Sequence, residues 1–307
     1  MDIAMETLFP RMVGGDESLF FHRYWRARTL FVESALPELR SFYNIDNFIH
    51  DYRQLDNHKA TLLISVDANR NRRMLRPGSA AEIEEALTHN SSVVLQALLL
   101  RRDLATLPPQ WAWFVALYDS LCKYLLPTFP SDTQPYEPVA AVDIFCTQGE
   151  SSTGGHYDTG DVFYFVLEGE KEWTVELCPD LQSGFNSSIS SVSRGIDRLP
   201  LKDSITLQIR PGDCLYVPPY TYHRVTSTGR SLAVSVGLPA FTEATVLLHK
   251  AILVMKDRPC YEPLPSFPVS QDTLREQAQE QTNARLVRSL LNWFPCLKGY
   301  VHPIGTP

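Results

Sequence analysis

The stretch Gly154-Gly155-His156-Tyr157-Asp158 sets a histidine and an aspartate two residues apart, directly before the aromatic run Asp161-Val162-Phe163-Tyr164-Phe165. Alternate side chains of an extended segment project to the same side, so His156 and Asp158 can chelate one cation together. Two imidazoles and one carboxylate on one face of a metal suit mononuclear iron(II) and leave positions open for other ligands. The second imidazole must come from elsewhere, and His223 in RPGDCLYVPPYTYHRV is the best candidate. There a Pro-Gly-Asp turn launches a strand, two prolines end it, and the histidine starts the next, which antiparallel packing can bring beside His156. Alone, His-x-Asp reads as readily as a polar turn, and a histidine after a strand as a packed or solvated side chain.

A third feature sits between them in order. Lys171 follows His156 by fifteen residues, in LEGEKEWTV. Gly169 ends the preceding strand, so Lys171 begins the return strand. Alternation puts Glu170, Glu172 and Thr174 on one face and Lys171, Trp173 and Val175 on the other, apolar one. A lysine pointing into a core is costly unless it meets an anion. An exposed hairpin lysine between two glutamates is the plainer reading, and the alternation argues against it.

The elements that must hold these residues fall into three stretches. SLFFHRYWRA reads as a helix docking an aromatic face, and TLFVE as a short strand. From about Lys59 to Lys123, short apolar runs (TLLISV, SVVLQALLL) alternate with helical patterns (AAEIEEALTH, WAWFVALYDSLCKYLL), an α+β lead-in. VAAVDIFCT, DVFYFVLEG, KEWTVEL, SITLQI, CLYVPP and RSLAVSVGL then read as short strands of an antiparallel sandwich or barrel. The Ser-, Asn- and Gly-rich insertion Pro179–Pro200 reads as a surface loop. After Pro239 the strands stop, and two helical patterns joined by RPCYEPLPSFPVS follow.

Composition bounds the function. With 307 residues, 44% hydrophobic and 21% charged, the chain has the profile of a folded soluble protein. A net charge of -7 gives no electrostatic footprint for nonspecific nucleic-acid binding, so a small molecule or a basic peptide or protein is the easier partner. No apolar run is long enough to span a bilayer, and the first fifteen residues lack a secretory pattern, which points to the cytoplasm. The six cysteines (Cys122, Cys146, Cys178, Cys214, Cys260 and Cys296) form no C-x-x-C pair and are expected to be free thiols.

TGGHYDTGDVFYFVLEGEKEWTV followed by RPGDCLYVPPYTYHRV resembles the JmjC-type, cupin-fold 2-oxoglutarate oxygenases, in particular the ribosomal-oxygenase-like branch. SLFFHRYWRARTLFVE resembles the opening helix and strand of that branch, so the similarity runs over about residues 15–240. The resemblance implies a mainly β fold with α elements: a double-stranded β-helix (jelly-roll, cupin) core over about 140–238, N-terminal α+β elements, and an oxygenase domain over 1–239. A helical region over 240–307 then serves in dimerisation. It also implies an iron(II) triad of His156, Asp158 and His223, with 2-oxoglutarate and O2 as cosubstrates. Lys171 would hold the C5 carboxylate, and Thr153 and Ser235 would be further cosubstrate contacts. The expected reaction is hydroxylation of a C–H bond in a peptide, a protein or an amine-bearing metabolite. Asp161 and Tyr164 lie near enough to line the substrate side, although a turn cap and a core tyrosine account for them as well. Two departures stand out. Gly169-Glu170-Lys171-Glu172-Trp173 replaces a basic turn, and the chain stops at Pro307, short of a winged-helix-like domain. The rivals are a cupin that binds without turnover and a zinc or manganese cupin isomerase or hydrolase.

Overall fold

The computed structural model describes residues 5–54, 62–66, 72–75, 79–89, 91–96, 107–125, 141–152, 154–158, 160–180 and 203–238. The chain divides into two units, Met1–Ala240 and Phe241–Pro307. The helices expected after Pro239, residues 181–200 of the insertion, and Cys260 and Cys296 lie outside the described residues.

Helices α1 (Met5–Met12), α2 (Glu17–Leu19), α3 (Ile45–Gln54), α4 (Ala80–Thr88) and α5 (Pro109–Leu125) come from the N-terminal part. The α4 helix starts where the Ser79 hydroxyl accepts the Glu82 N–H, leaving Ile83 and Leu87 on its buried stripe. In α5, Pro109 takes the first position, and Trp111, Phe114, Val115, Tyr118 and Leu121 recur at helical spacing as the buried face. SLFFHRYWRA is not one α-helix: α2 widens into a π turn over Phe20–Tyr24, closed by the Trp25 N–H on the Phe20 carbonyl at 2.9 Å. The wider turn lets Phe20 enter the core while Trp25 stacks on Tyr216 at 5.8 Å.

The strands are β1 (Leu30–Val32), β2 (Leu62–Val66), β3 (Arg72–Met74), β4 (Ser92–Gln96), β5 (Ala141–Thr147), β6 (Ser151–Ser152), β7 (His156–Tyr157), β8 (Asp161–Glu168), β9 (Lys171–Glu176), β10 (Ser204–Ile209), β11 (Cys214–Val217), β12 (Tyr222–Ser227) and β13 (Ser231–Leu238). The larger sheet has the order β1-β11-β8-β13-β5-β4-β2-β3; the smaller runs β10-β9-β12-β6, with β7 paired to β12. All these ladders are antiparallel. Two facing antiparallel sheets with this interleaved strand order make the double-stranded β-helix of a cupin, with helices added to one side.

Period-two alternation divides the larger sheet. On β8, Phe163, Phe165 and Leu167 join the helices in one core, while Val162, Tyr164 and Val166 meet Trp173, Val175 and Val225 of the smaller sheet in another. Burial on both faces is why DVFYFVLE reads as a continuous apolar run rather than an alternating one. Cys122, Cys146, Cys178 and Cys214 are free thiols.

Candidate functional site

His156 and His223 are directly opposed across the β7–β12 pair, where Tyr157 also faces Tyr222. Their rings lie 4.2 Å apart between centroids. Asp158 follows β7 immediately, and its carbonyl is pinned by the Tyr220 N–H at 2.7 Å. Close approach at this corner depends on the two glycines. Gly154 has φ +76°, and a Cβ on Gly155 would stand 1.7 Å from the Tyr222 hydroxyl oxygen.

Each imidazole is held in one tautomer. Nδ1 of His156 lies 3.0 Å from the Gly154 carbonyl, and Nδ1 of His223 lies 3.0 Å from the Thr221 carbonyl. A carbonyl only accepts, so both Nδ1 atoms carry the proton and both Nε2 atoms present lone pairs. Those lone pairs converge on Asp158, at 3.8 Å from His156 Nε2 to Oδ1 and 3.5 Å from His223 Nε2 to Oδ2. One ligand atom from each of the three residues lies within 4.8 Å of the others. These spacings are too long for hydrogen bonds, yet three electron-pair donors crowd one point, an arrangement that a divalent cation relieves. Burial first, and then His156, push the His223 imidazole down to about 4, partly opposed by Asp158, so it is neutral as a metal ligand must be. Trp173 stacks on His223 at 5.0 Å and fixes its plane.

The three residues open on a cavity of about 280 Å³ between the sheets. Lys171 lines it too and is 4% exposed, on the same face of β9 as Trp173 and Val175. Its ammonium donates to Thr147 Oγ1 at 2.8 Å, and among the described residues no carboxylate pairs with it. Burial pulls this lysine down to about 7. The Thr147 hydroxyl lies 3.0 Å from that of Ser92, which is 2.5 Å from that of Ser151, so a strip of hydroxyls leads away from the cation. A buried ammonium among hydroxyls fits a carboxylate that is brought in from outside.

Of the other residues picked from the sequence, Ser235 lines the cavity from β13, opposite Tyr164 on β8 and Asp143 on β5. Thr153 lies outside the described residues. Tyr164 lines the cavity as well as packing in the core. Asp161 is fully buried and structural: it takes the Arg26 guanidinium at 3.0 Å and the Tyr216 hydroxyl at 2.7 Å, while burial still holds its carboxyl above the ordinary range. Asp143 and Thr147 were missed. Their signal was the alternation of VDIFCT, which puts Asp143, Phe145 and Thr147 on the cavity face and Val142, Ile144 and Cys146 in the helix-side core. Among the described residues no helix is long and apolar enough to cross a membrane.

The family model for the JmjC domain matches residues 132–246. No curated protein sequence matches the chain significantly. Among solved structures, a ribosomal oxygenase of Escherichia coli, YcfD, is similar with a TM-score of 0.52 at 16% identity, over 90% of this chain and 66% of that one. A second structure of YcfD gives 0.53 at 18% identity over 90% and 68%. A third, a complex with cobalt and 2-oxoglutarate, gives 0.51 at 17% over 89% and 66%. The chain thus spans about two thirds of the length of YcfD. The JmjC match and the shared fold agree with the resemblance drawn from the motifs.

Proposed function

We propose that this chain, with its JmjC match over residues 132–246, is an iron(II)- and 2-oxoglutarate-dependent dioxygenase. It hydroxylates a C–H bond of an amino-acid residue in a peptide or protein, or of an amine-bearing metabolite. His156 Nε2, an Asp158 oxygen and His223 Nε2 hold the iron, and Lys171 holds the C5 carboxylate of the cosubstrate. Ser235, and Thr153 by its place three residues before His156, are further cosubstrate contacts. The observation that carries this reading is the buried Lys171 ammonium, whose hydrogen-bond partner among the described residues is a hydroxyl, in the same cavity as two imidazoles and a carboxylate. A binding module has no use for all four groups.

When bound, iron, O2 and 2-oxoglutarate supply the oxidising chemistry, in which cosubstrate, O2 and R–H become succinate, CO2 and R–OH. The protein positions and shields. The Gly154 and Thr221 carbonyls keep the imidazole protons on Nδ1, and Trp173 holds the His223 ring. Thr147 aims the Lys171 ammonium, and Val162, Val225 and Phe145 keep water out. Residues 1–239 act as one oxygenase domain in the cytoplasm, and 240–307 form a helical region that joins two copies.

The test is succinate. Protein purified without oxygen should retain iron, and with iron(II), ascorbate and 2-oxoglutarate should release succinate and CO2 in equal amounts. No succinate, alone or with cell extract, overturns the reading; retention of zinc or manganese in its place points to the isomerase or hydrolase rival. A light-scattering mass of one chain overturns the dimer.

A further inference from the structure

The two imidazoles of the site are each fixed by a carbonyl, but the carboxylate is not. Among the described residues, Asp158 meets the Nε2 atoms of His156 and His223 at 3.8 and 3.5 Å and takes no hydrogen bond on its side chain, which is 43% exposed. Where this ligand stands is therefore decided by its backbone. On one side the Tyr220 N–H holds the Asp158 carbonyl at 2.7 Å, and Tyr220, at φ +58°, is itself held where its carbonyl accepts the Asp180 N–H at 2.9 Å. On the other side, three residues on, stands Asp161.

Asp161 is gripped from two directions. Arg26 Nε donates to its Oδ2 at 3.0 Å and the Tyr216 hydroxyl to its Oδ1 at 2.7 Å, while the Arg26 N–H donates to that same hydroxyl at 2.8 Å. Arg26 reaches this position against its own backbone preference. Its φ of +56° lies in the left-handed region, where an arginine is strained and a glycine is not. Such a conformation persists only where the surroundings over-determine it. Here they are the π turn over Phe20–Tyr24, the stacking of Trp25 on Tyr216, and the Trp25 ring 5.0 Å from the Arg26 guanidinium. Between the two acids, Gly160 lies so close to β13 that a Cβ would stand 2.4 Å from the Leu238 carbonyl oxygen. The step from Asp158 to Asp161 has little room to slide.

Stability does not account for the pair. Apolar residues of similar volume in place of a buried ion pair often leave a fold as stable, or more so. Two partners on two carboxylate oxygens do supply a fixed orientation, and three residues of backbone pass it to Asp158.

We propose that Arg26 and Tyr216, acting through Asp161, are positioning residues that hold the Asp158 carboxylate in place for the metal. The inference rests on the metal triad of the reading above; neither Arg26 nor Tyr216 lines the cavity.

Cobalt(II) is the probe, titrated into the full-length protein without oxygen and followed by its visible absorption, with circular dichroism confirming that each variant is folded. Arg26→Met should weaken cobalt(II) binding roughly 10- to 100-fold and alter the absorption of the bound ion, and Arg26→Lys should restore part of both. Tyr216→Phe, which removes a single hydroxyl, should weaken binding roughly threefold or more. Phe165→Ala lowers stability from the same strand as Asp161 but away from the turn, and should change neither reading. Where Arg26→Met does not fold, Arg26→Lys and Tyr216→Phe decide. The proposal is overturned if the folded variants bind cobalt(II) with unaltered affinity and absorption, or if Phe165→Ala shifts both as far. Succinate release by the iron-loaded protein is read separately. Failure of cobalt(II) to bind the unsubstituted protein removes the triad and this role with it. Cobalt(II) binding that depends on Arg26, without any succinate, removes the oxygenase reading and leaves the positioning role.

Discussion

The two faces of β5 differ by one residue step and in almost everything else. Val142, Ile144 and Cys146 close against the helices; Asp143, Phe145 and Thr147 look into the cavity, where, among the described residues, a carboxylate oxygen without a hydrogen-bond partner and a lysine held by one hydroxyl are tolerated. The apolar side supplies packing that offsets what the polar side costs. Period-two geometry lets one strand serve both ends, so stability and chemistry should separate by mutation along it and its neighbours.

His223→Ala breaks the cavity side with the largest effect. Succinate formation should fall to the level seen without iron, while stability drops by only about 1 kcal/mol, the ordinary cost of a substitution. An iron titration and a denaturant melt check both; retained turnover takes His223 out of the ligand set. Phe165→Ala is the opposite case. It empties a fully buried ring site that faces Phe114 of α5, so unfolding free energy should fall by about 3–5 kcal/mol, with the 2-oxoglutarate requirement of the folded fraction unchanged. A large rise in that requirement would show that the faces are coupled. Lys171→Met sharpens the comparison most finely. The 2-oxoglutarate KM should rise roughly a hundredfold, and the cosubstrate-free protein should become more stable, because an unpaired buried cation is replaced by an apolar stem. Lys171 titrates at about 7 in the fold and near 10.5 when unfolded, so from pH 7 upward the unfolded chain binds more protons. Between pH 7 and 9 the stability of the native sequence should therefore climb relative to Lys171→Met, by up to about 1.4 kcal/mol per pH unit. Parallel pH profiles would instead place this lysine in water.

Much of this was legible in the chain. Strand positions from β8 to β13 follow from β-branched and aromatic runs between turn residues, and the face of Lys171 follows from alternation alone. The juxtaposition of His156 and His223 was readable only as an option, because a two-residue strand such as β7 has no pattern of its own and its register is set by β12. Asp143 escaped notice because an acid between valine and isoleucine reads as the polar side of a half-exposed strand. The smaller sheet packed opposite turns that side inward, over a cavity shared with Trp173, His223 and Val225. The π turn at Phe20–Tyr24 was hidden for a similar reason: helical spacing predicts a helix, while the core position of Phe20 and the ring of Tyr216 decide how wide its turn is.

The pairing of Arg26 with Asp161 also bears on how the molecule is made. The two residues are 135 apart, and the Arg26 guanidinium compensates a carboxylate with no exposure at all, next to the turn that carries Asp158. During synthesis Arg26 leaves the ribosome roughly seven seconds or more before its partner. Over that interval the N-terminal segment has no sheet to close on, and Phe20 waits for Tyr216, which emerges later still. Assembly of the cavity between the sheets is thus a late event on the growing chain, set by the arrival of the last strands.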